Sequence, residues 1–429
     1  MTRRQMLALS VTALCHAAPS SEPDVQLRIA PVTLDLGPKK SVKTVAYNGQ
    51  VPGPMLRFPE GKMITVDVSN ETAVDELVHW HGFHIPSDVD GAHEEGTPHI
   101  AAHDHRRYVF PARPAGTRWY HSHSMAGRNF QRGTYTGQFG LFVVDSPEDA
   151  AAYDLEVPIM LHEWEPFLAD DDIDYKLFSI NGKMLGAGEP IRVHSSQRVL
   201  FRIVNASATM SHRLALPRHS FHVIALDGNA VPTSRDVPVL DLGPGERVDA
   251  VVEMNTPGVW VLGELNGRQR DTGLGIVVEY ADQHGPPQWF PPPNFTWDYT
   301  LFGADLKPPV PDGRFPMVFK EPSEHHWTIN GKSYPHTDPL MVRADRRYRM
   351  IFDNQSALAH PIHLHRHTFE VTHFIDKATS GVRKDVIVVP PWRQVEVDVI
   401  ASNPGSSLFH CHHQFHMDMG LMTLMQYST

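Results

Sequence analysis

Short runs in which apolar and polar residues alternate fill the chain from residue 24 onward, and Gly, Pro or Asn interrupts them at short intervals. Alternation with a period of two predicts a β-strand that buries one face, and clusters of Gly, Pro and Asn predict the turns between strands. Helical periodicity is almost absent. The pattern therefore predicts an all-β protein built from short strands.

The pattern of strands and turns occurs three times, which indicates a repeated domain. Residues 47–70, 180–205 and 329–354 each contain an Asn-Gly pair, a Pro-led apolar strand and a second alternating strand that ends in Asn. An Asn-Gly pair favours a tight turn because both residues tolerate positive φ. Further along, LPRHSFHV (216–223) matches LHRHTFEV (364–371). Domain-sized repeats of short strands are typical of Greek-key β-sandwiches.

We therefore predict three tandem Greek-key β-sandwich domains and one stiff, Pro-rich linker. The predicted boundaries are 24–146 for the first domain, 147–283 for the second, 284–296 for the linker and 297–429 for the third. Residues 1–23 have the features of a Tat-type export signal, namely Arg3 and Arg4, a short apolar run, and the small residues Ala17 and Ala18. This signal predicts a periplasmic or secreted protein, and the alternative is a cytoplasmic N-terminus that is not cleaved.

Composition excludes some classes of partner. The net charge of the 429 residues is −11, from 38 Lys and Arg against 49 Asp and Glu, without long basic runs. Nucleic acids and anionic membrane surfaces are therefore poor partners, and no stretch is apolar enough to span a membrane. The unusual feature is 28 histidines beside only two cysteines. Cys15 lies in the leader, so a processed chain keeps only Cys411 and can form no intrachain disulfide.

Histidines concentrate in four short clusters: HWH (79–81), HSH (121–123), HPIHLH (360–365) and HCHHQFH (410–416). Residues i and i+2 of a strand share a face, so each cluster offers one pair of histidines on the same face. The four pairs are His79 and His81, His121 and His123, His363 and His365, and His410 and His412. Cys411 points away from its two neighbours, and His360 points away from His363 and His365.

This parity predicts two metal sites. Cys411, His360 and His416 supply one thiolate and two imidazoles, which is the ligand set of a blue-copper electron-transfer centre. The eight paired histidines are too many for one copper ion, and they suit a group of three with open positions for oxygen. His410 and His412 lie about 6.6 Å apart at the ~3.3 Å rise of a strand, so Cys411 would connect both sites through its neighbours. Zinc fits this ligand set poorly.

The four linked motifs resemble those of the multicopper oxidases, and most closely the three-domain, laccase-like branch. The resemblance covers essentially the whole mature chain and implies cupredoxin-like domains with four copper ions as cofactors. By position, it assigns Cys411, His360 and His416 to the type 1 copper, and His79 and His363 to the type 2 copper. It assigns the type 3 pair to His81, His121, His123, His365, His410 and His412. Electrons would enter through His416 and pass through Cys411 to His410 and His412.

The resemblance also identifies residues that tune the chemistry. The axial type 1 position is Leu421, which cannot coordinate, so we expect a three-coordinate copper of raised potential. A shift of one residue would bring Met422 to the axial position. Packing in the apolar core explains Met422 more simply. Asp90 matches an acid that handles protons near the type 2 copper, and the alternative is a plain Asp-Gly turn. Relatives carry an acid directly after the last type 1 histidine. This chain has Met417 there, followed by Asp418.

The second domain lacks candidate ligands. Ala215 and Pro217 stand where the third domain has His363 and His365, and residues 259–265 contain neither His nor Cys. We interpret this domain as a spacer without copper that positions its neighbours. His413 lies outside the ligand set, and we expect it to face solvent or a loop.

The favoured interpretation is an oxidase that takes single electrons from phenols or similar aromatic donors and reduces O2 to water. We expect a monomer whose partners are these small reductants and O2, with no nucleic acid and no membrane after processing. One alternative is a metallo-oxidase acting on Cu(I) or Fe(II), although the sixteen methionines are scattered along the chain. Another is a copper-binding cupredoxin repeat without turnover, which would not need every ligand position.

Overall fold

A computed structural model describes residues 22–146, 153–169 and 172–428. The predicted export signal, with Cys15, falls almost entirely outside the described residues. Within them the chain is nearly all β-structure, which confirms the fold class predicted from the alternation. None of the described helices has the length and apolarity needed to cross a membrane.

The first region, residues 22–146, folds into two four-stranded sheets with a shared apolar core. The sheets have the orders β2-β1-β4-β6 and β3-β8-β7-β5. Short 3-10 helices cover His93–Glu95 and Gly133–Tyr135. The strands are β1 Val25–Gly37, β2 Lys40–Tyr47, β3 Leu56–Pro59, β4 Met63–Asn70, β5 Val78–His81, β6 His105–Pro111, β7 Gly116–Ser122 and β8 Phe139–Asp145.

The second region pairs a six-stranded with a five-stranded sheet, in the orders β10-β9-β12-β17-β14-β15 and β11-β19-β18-β13-β16. One short helix, α1, spans Gly267–Asp271. The strands are β9 Leu155–Ala169, β10 Asp172–Ile180, β11 Ile191–Val193, β12 Arg198–Asn205, β13 His212–Ala215, β14 Phe221–Leu226, β15 Asn229–Val237, β16 Leu240–Leu242, β17 Arg247–Glu253, β18 Val259–Glu264 and β19 Gly275–Tyr280.

The third region repeats the second strand for strand, in the orders β21-β20-β23-β28-β25-β26 and β22-β30-β29-β24-β27. A 3-10 helix covers Tyr299–Phe302, and α2 spans Gln414–Asp418. The strands are β20 Gly313–Ser323, β21 His326–Ile329, β22 Leu340–Val342, β23 Arg347–Asn354, β24 His360–Leu364, β25 Phe369–Phe374, β26 Lys377–Lys384, β27 Val386–Val389, β28 Gln394–Ile400, β29 Ser407–Cys411 and β30 Met422–Tyr427.

The repeated Asn-Gly pairs make the tight turns that the sequence predicts. Asn48, Asn181 and Asn330 have φ of 53°, 52° and 52°, and the glycine that follows each of them also has positive φ. In every copy the asparagine side-chain oxygen accepts a backbone N–H from the first strand of its region, at 2.6, 2.8 and 2.8 Å. This bond holds the hairpin at the same place in each sandwich.

The three regions pack closely although their sheets are separate. Every ladder between the named strands joins strands of one region. One apolar cluster contains buried side chains of both the second and third regions, and another joins the first region to the second through Trp119 and Trp164. The predicted domain boundaries are compatible with these sheets and remain a prediction.

Candidate metal centres

The four histidine clusters lie on paired strands of two sheets. In the first region β5 pairs with β7, so that His79 lies opposite His121. In the third region β24 pairs with β29, so that His363 lies opposite His410 and Ile362 opposite Cys411. Because neighbouring side chains point to opposite faces of a strand, the histidine pairs meet between the first and third regions. Cys411 instead faces the apolar core of the third region.

Three side chains form a compact mononuclear centre. Cys411 Sγ lies 3.6 Å from His360 Nδ1 and 3.7 Å from His416 Nδ1, and the two nitrogens are 3.2 Å apart. All three residues are buried. His360 Nε2 donates to Ser356 Oγ at 2.9 Å, which turns the other ring nitrogen toward the centre. The structure thus brings together the thiolate and the two imidazoles that the sequence predicts.

The eight remaining histidines form one continuous cluster, with donor atoms close enough to share metal ions. His365 Nε2 lies 3.0 Å from His410 Nε2, and His79 Nε2 lies 3.4 Å from His363 Nε2. Among the described residues, the groups with donor atoms within 4.8 Å of one another include three made of histidines alone. They are His81, His121 and His412; His123, His365 and His410; and His79, His363 and His81.

Buried carboxylates orient several of these rings. His81 Nε2 donates to Asp385 Oδ1 at 3.0 Å, and His365 Nδ1 donates to Asp90 Oδ2 at 2.8 Å. Each bond fixes which ring nitrogen remains for a metal. Asp90 lies within a turn, as its Asp-Gly sequence predicts, and it is also fully buried against the cluster. The two interpretations of Asp90 are therefore compatible.

The buried donors fit soft or borderline metal ions such as copper. Both ring nitrogens of His123 and of His412 are buried without a hydrogen-bond partner, a costly state that metal ligation would relieve. Burial raises the pKa of the Cys411 thiol, so that a thiolate there requires a cation beside it. Burial also keeps the imidazoles neutral, as metal ligands must be, because it lowers the pKa of each ring. The pKa of His360 falls to about 3. Burial likewise lowers the pKa of His81, His121, His123, His363, His365, His410, His412 and His416.

A buried charge network, which the sequence did not reveal, supports the cluster. Arg247 of the second region donates from Nη2 to Asp385 Oδ2 at 2.6 Å, and Arg118 of the first region lies 3.7 Å from the same carboxylate. Lys384 pairs with Asp227 at 3.0 Å. All of these side chains are buried. Because Asp385 also holds His81, the second region helps to position a candidate ligand.

The expectation that His413 faces solvent or a loop is wrong. His413 is 3% exposed, and its ring stacks on that of His416 with the centroids 3.6 Å apart. Its side chain caps α2 by accepting the His416 N–H, which folds the ring back over its neighbour. Its Nε2 lies 3.0 Å from Asp172, at the start of β10 in the second region.

Leu421 and Met422, the two candidates for the axial position, make different contacts at the start of β30. Leu421 accepts the Cys411 N–H through its carbonyl and donates its own N–H to the His416 carbonyl, both at 3.0 Å. Met422 pairs with His410 across the ladder, so that its side chain shares the face of His410 and points away from Cys411. There it packs with Ala92 and other buried apolar groups, as its interpretation as a core residue predicts.

The second region carries a different buried cluster at the position of the mononuclear centre. By strand register, Glu264 stands where the third region has Cys411, and His212 stands where it has His360. His212 donates from Nε2 to Glu163, and its Nδ1 lies 3.4 Å from Glu264. Burial alone would lower the pKa of His212, but the Glu163 and Glu264 carboxylates outweigh it and raise this pKa to about 9. With this raised pKa, His212 carries a proton at neutral pH, and it stands at the position that His360 has in the third region.

Comparisons with known proteins agree with this geometry. Three sequence profiles described as multicopper oxidase match residues 29–149, 172–279 and 308–429. The chain is 31% identical to the multicopper oxidase MmcO of Mycobacterium tuberculosis, over 98% of this chain and 91% of that protein. It is 25% identical to a laccase of Cryphonectria parasitica, over 90% of this chain and 79% of that protein.

The fold is also found among solved structures. Fet3p, described as a multicopper oxidase that functions in iron import, superposes with a TM-score of 0.82 at 18% identity, over 94% of this chain and 90% of that one. The multicopper oxidase from Campylobacter jejuni, described as a metallo-oxidase, superposes with a TM-score of 0.74 at 21% identity, over 96% and 93%. The profiles and the relative from Mycobacterium together show that this chain belongs to the multicopper oxidase family.

Proposed function

We propose that the protein is a laccase-type oxidase, which takes single electrons from phenolic or similar aromatic donors and reduces O2 to water. His360, Cys411 and His416 would hold the type 1 copper, and His79 and His363 the type 2 copper. The type 3 pair would be held by His81, His121, His123, His365, His410 and His412. Copper in these places would supply the one-electron chemistry that no side chain of the chain provides.

The path between the two centres is the observation that carries the proposal. His410 and His412, which flank Cys411 in sequence, belong to the larger cluster. His410 Nδ1 also donates to the carbonyl of Cys411 at 2.8 Å, which adds a hydrogen-bonded branch to the covalent path. A protein that only stores copper gains nothing from a direct connection between its sites. This connection favours turnover over the alternative of a copper-binding repeat without activity.

Three of the four C-terminal methionines are buried, while Met419 is partly buried, and this favours aromatic donors over Cu(I). Met417, Met422 and Met425 are each at most 3% exposed and pack in apolar clusters. Their sulfur atoms are therefore not available to bring a soft metal ion to the type 1 ligands.

Oxidation of Cu(I) or Fe(II) is the second candidate function. The names of two related structures, one active in iron import and one a metallo-oxidase, are in its favour. The surface also carries Met125, which is 40% exposed, and the stacked rings of His93 and His99, 4.5 Å apart.

Oxygen uptake by the copper-loaded protein separates these functions. We would compare 2,6-dimethoxyphenol with Cu(I) and Fe(II) at matched concentrations, with Cys411→Ser as the matched control for electron transfer. Fast uptake with the phenol, slow uptake with both metal ions and none in the control is the expected result. The reverse order of donors would favour the metallo-oxidase. Absence of uptake with every donor would refute both enzymatic functions.

We also propose that the chain is exported by its twin-arginine leader and acts as a monomer. The support for export is the sequence of residues 1–23, in which Arg3 and Arg4 precede a short apolar run. N-terminal sequencing of the mature protein from a cell fraction, followed by light scattering, tests both points. An intact Met1 on cytoplasmic protein would contradict export.

A further inference from the structure

Resting on the proposed function, we infer that Glu76 is the carboxyl group that supplies protons to the oxygen-reducing centre on the side of His123 and His410, acting through Ser122 and Ser124. Reduction of one O2 to two water molecules consumes four electrons and four protons. The electrons come from the donor, so the protons must come from solvent through groups of the protein.

Glu76 lies just before β5 and is 2% exposed. One of its carboxylate oxygens, Oε2, accepts from Ser124 Oγ at 3.0 Å, from Gln138 Nε2 at 3.4 Å and from Ser122 Oγ at 3.5 Å. These three partners are neutral. Burial raises the pKa of Glu76 and outweighs the three donated hydrogen bonds and the charge of Arg132, which lower it.

The hydroxyl groups lead from Glu76 to the metal cluster. Ser122 and Ser124 alternate with His121 and His123 along the chain. Ser122 also lines a small cavity whose other walls include His121, His123, His410, His412 and Gln414. Four of these residues are candidate type 3 ligands. Ser122 is therefore in contact with both Glu76 and the wall of the space in which O2 would be reduced.

The other buried carboxylates occupy different positions. Asp90 bonds directly to the candidate ligand His365, and Glu95 Oε1 lies 3.4 Å from the same ring and accepts the Leu408 N–H. Asp418 accepts the N–H groups of Ala126 and Gly127 at 3.0 and 2.7 Å. It reaches the cavity only through Gln414, whose amide cannot release a proton as an acid does. Of these carboxyl groups, Glu76 is the one with a serine partner, Ser122, in the cavity wall.

In this inference the proton that Glu76 gives up is replaced from the side of Arg132. Arg132, which is half-buried, is the charged side chain that faces Glu76, and its Nη2 donates to the backbone carbonyl of exposed Asp75 at 2.7 Å. In each transfer the Glu76 carboxyl would give its proton through a serine hydroxyl to the oxygen species in the cavity. The carboxylate that remains would then regain a proton from water at the Asp75 and Arg132 surface.

The test compares Glu76→Gln with Glu71→Gln, which removes an exposed carboxylate five residues away. The expected result is a fall of about 10²-fold in the rate of O2 uptake for Glu76→Gln alone. Anaerobic bleaching of the blue type 1 absorption by the donor should be unchanged, because electron entry does not use Glu76. Glu76→Asp should restore part of the rate, and the solvent deuterium isotope effect should be larger in Glu76→Gln than in the wild type.

Infrared difference spectroscopy gives a readout that does not depend on turnover. The copper-loaded wild type should show the carbonyl stretch of a buried protonated carboxyl group, which Glu76→Gln removes and Glu71→Gln keeps. If Glu76→Gln does not load copper, Ser124→Ala replaces it, and a shift of this band with slower uptake is then expected.

Rates of O2 uptake within twofold of the wild type, or an unchanged carbonyl band, would overturn the inference. A loss in Asp418→Asn with none in Glu76→Gln would overturn it too and assign the route to Asp418. These results presuppose that the wild type consumes O2. If it consumes none with any donor, the proposed function itself fails.

Discussion

The buried His212 cluster of the second region predicts how the stability of the protein depends on pH. Glu163→Gln keeps the shape of the side chain and removes the charge that holds His212 protonated. The pKa of His212 in the folded protein is about 9, against an ordinary value of 6.5. At about 1.4 kcal/mol per pKa unit, this gap corresponds to ~3 kcal/mol of folding free energy. Glu163 is the larger cause of this gap, and Glu264, which also raises the pKa of His212, stays in place in the variant.

The direction of the His212 pKa shift determines how the free energy of unfolding changes with pH. A group whose pKa is raised by folding stabilises the folded state at pH values below its unfolded pKa, and this stabilisation is lost as the pH rises through its folded pKa. We therefore expect Glu163→Gln to lower the free energy of unfolding by up to ~3 kcal/mol at pH 6. The difference between variant and wild type should become smaller as the pH rises through about 9.

Urea unfolding of the copper-loaded protein at several pH values, followed by tryptophan fluorescence, measures this difference. Glu165→Gln is the matched control on the same strand, because Glu165 is exposed and lies 3.8 Å from Lys176. Its effect should stay below about 1 kcal/mol at every pH. A Glu163→Gln effect that does not change between pH 6 and 10 would refute the assignment of a protonated His212. So would a His212 titration by NMR with a midpoint below 6.5 in the folded wild type.

Three further predictions concern the metal centres. Asp385→Asn removes the nearer carboxylate partner of buried Arg247 and leaves only Asp227, 3.9 Å away. The free energy of unfolding should fall by about 3–5 kcal/mol, which calorimetry would detect as a lower Tm. At Gly91, which has a φ of +103°, the Cβ of an alanine would lie 1.9 Å from the carbonyl oxygen of Val78, so Gly91→Ala must shift the loop beside His79. Copper analysis of this variant should show a lower copper content than in the wild type. A full copper content would contradict this prediction. Cys411→Ser should abolish the blue absorption and remove one copper per chain while leaving the larger centre loaded, which elemental analysis and electron paramagnetic resonance would check; retention of the blue band would exclude Cys411 as a ligand.

The sequence predicted those features that depend on local geometry. Strand parity separated Cys411 from His410 and His412, and the structure follows it because side-chain alternation is strict within β29. The Asn-Gly pairs located the repeat because their positive φ is a property of the two residues themselves. Neither conclusion required knowledge of how distant segments pack.

The features that the sequence missed depend on contacts between the regions. Asp385 and Arg247 are 138 residues apart, and neither stands in a pattern that indicates a buried ion pair. The position of His413 depends on how α2 begins, and a helix of five residues has no periodicity from which its start could be read. Its contact with Asp172 comes from the second region, whose sequence alone suggested only a spacer.

The second and third regions balance negative charge at equivalent buried positions in two chemically different ways. In the third region, burial raises the pKa of Cys411 and lowers the pKa of His360, so a thiolate beside neutral imidazoles is stable only with a metal cation among them. In the second region Glu264 replaces the thiol, and a proton on His212 supplies the positive charge. Each solution balances the charge of its anionic ligand within an apolar core, and only the metal can also change its oxidation state. The second region therefore needs no metal cation at this position, because the proton on His212 supplies the positive charge.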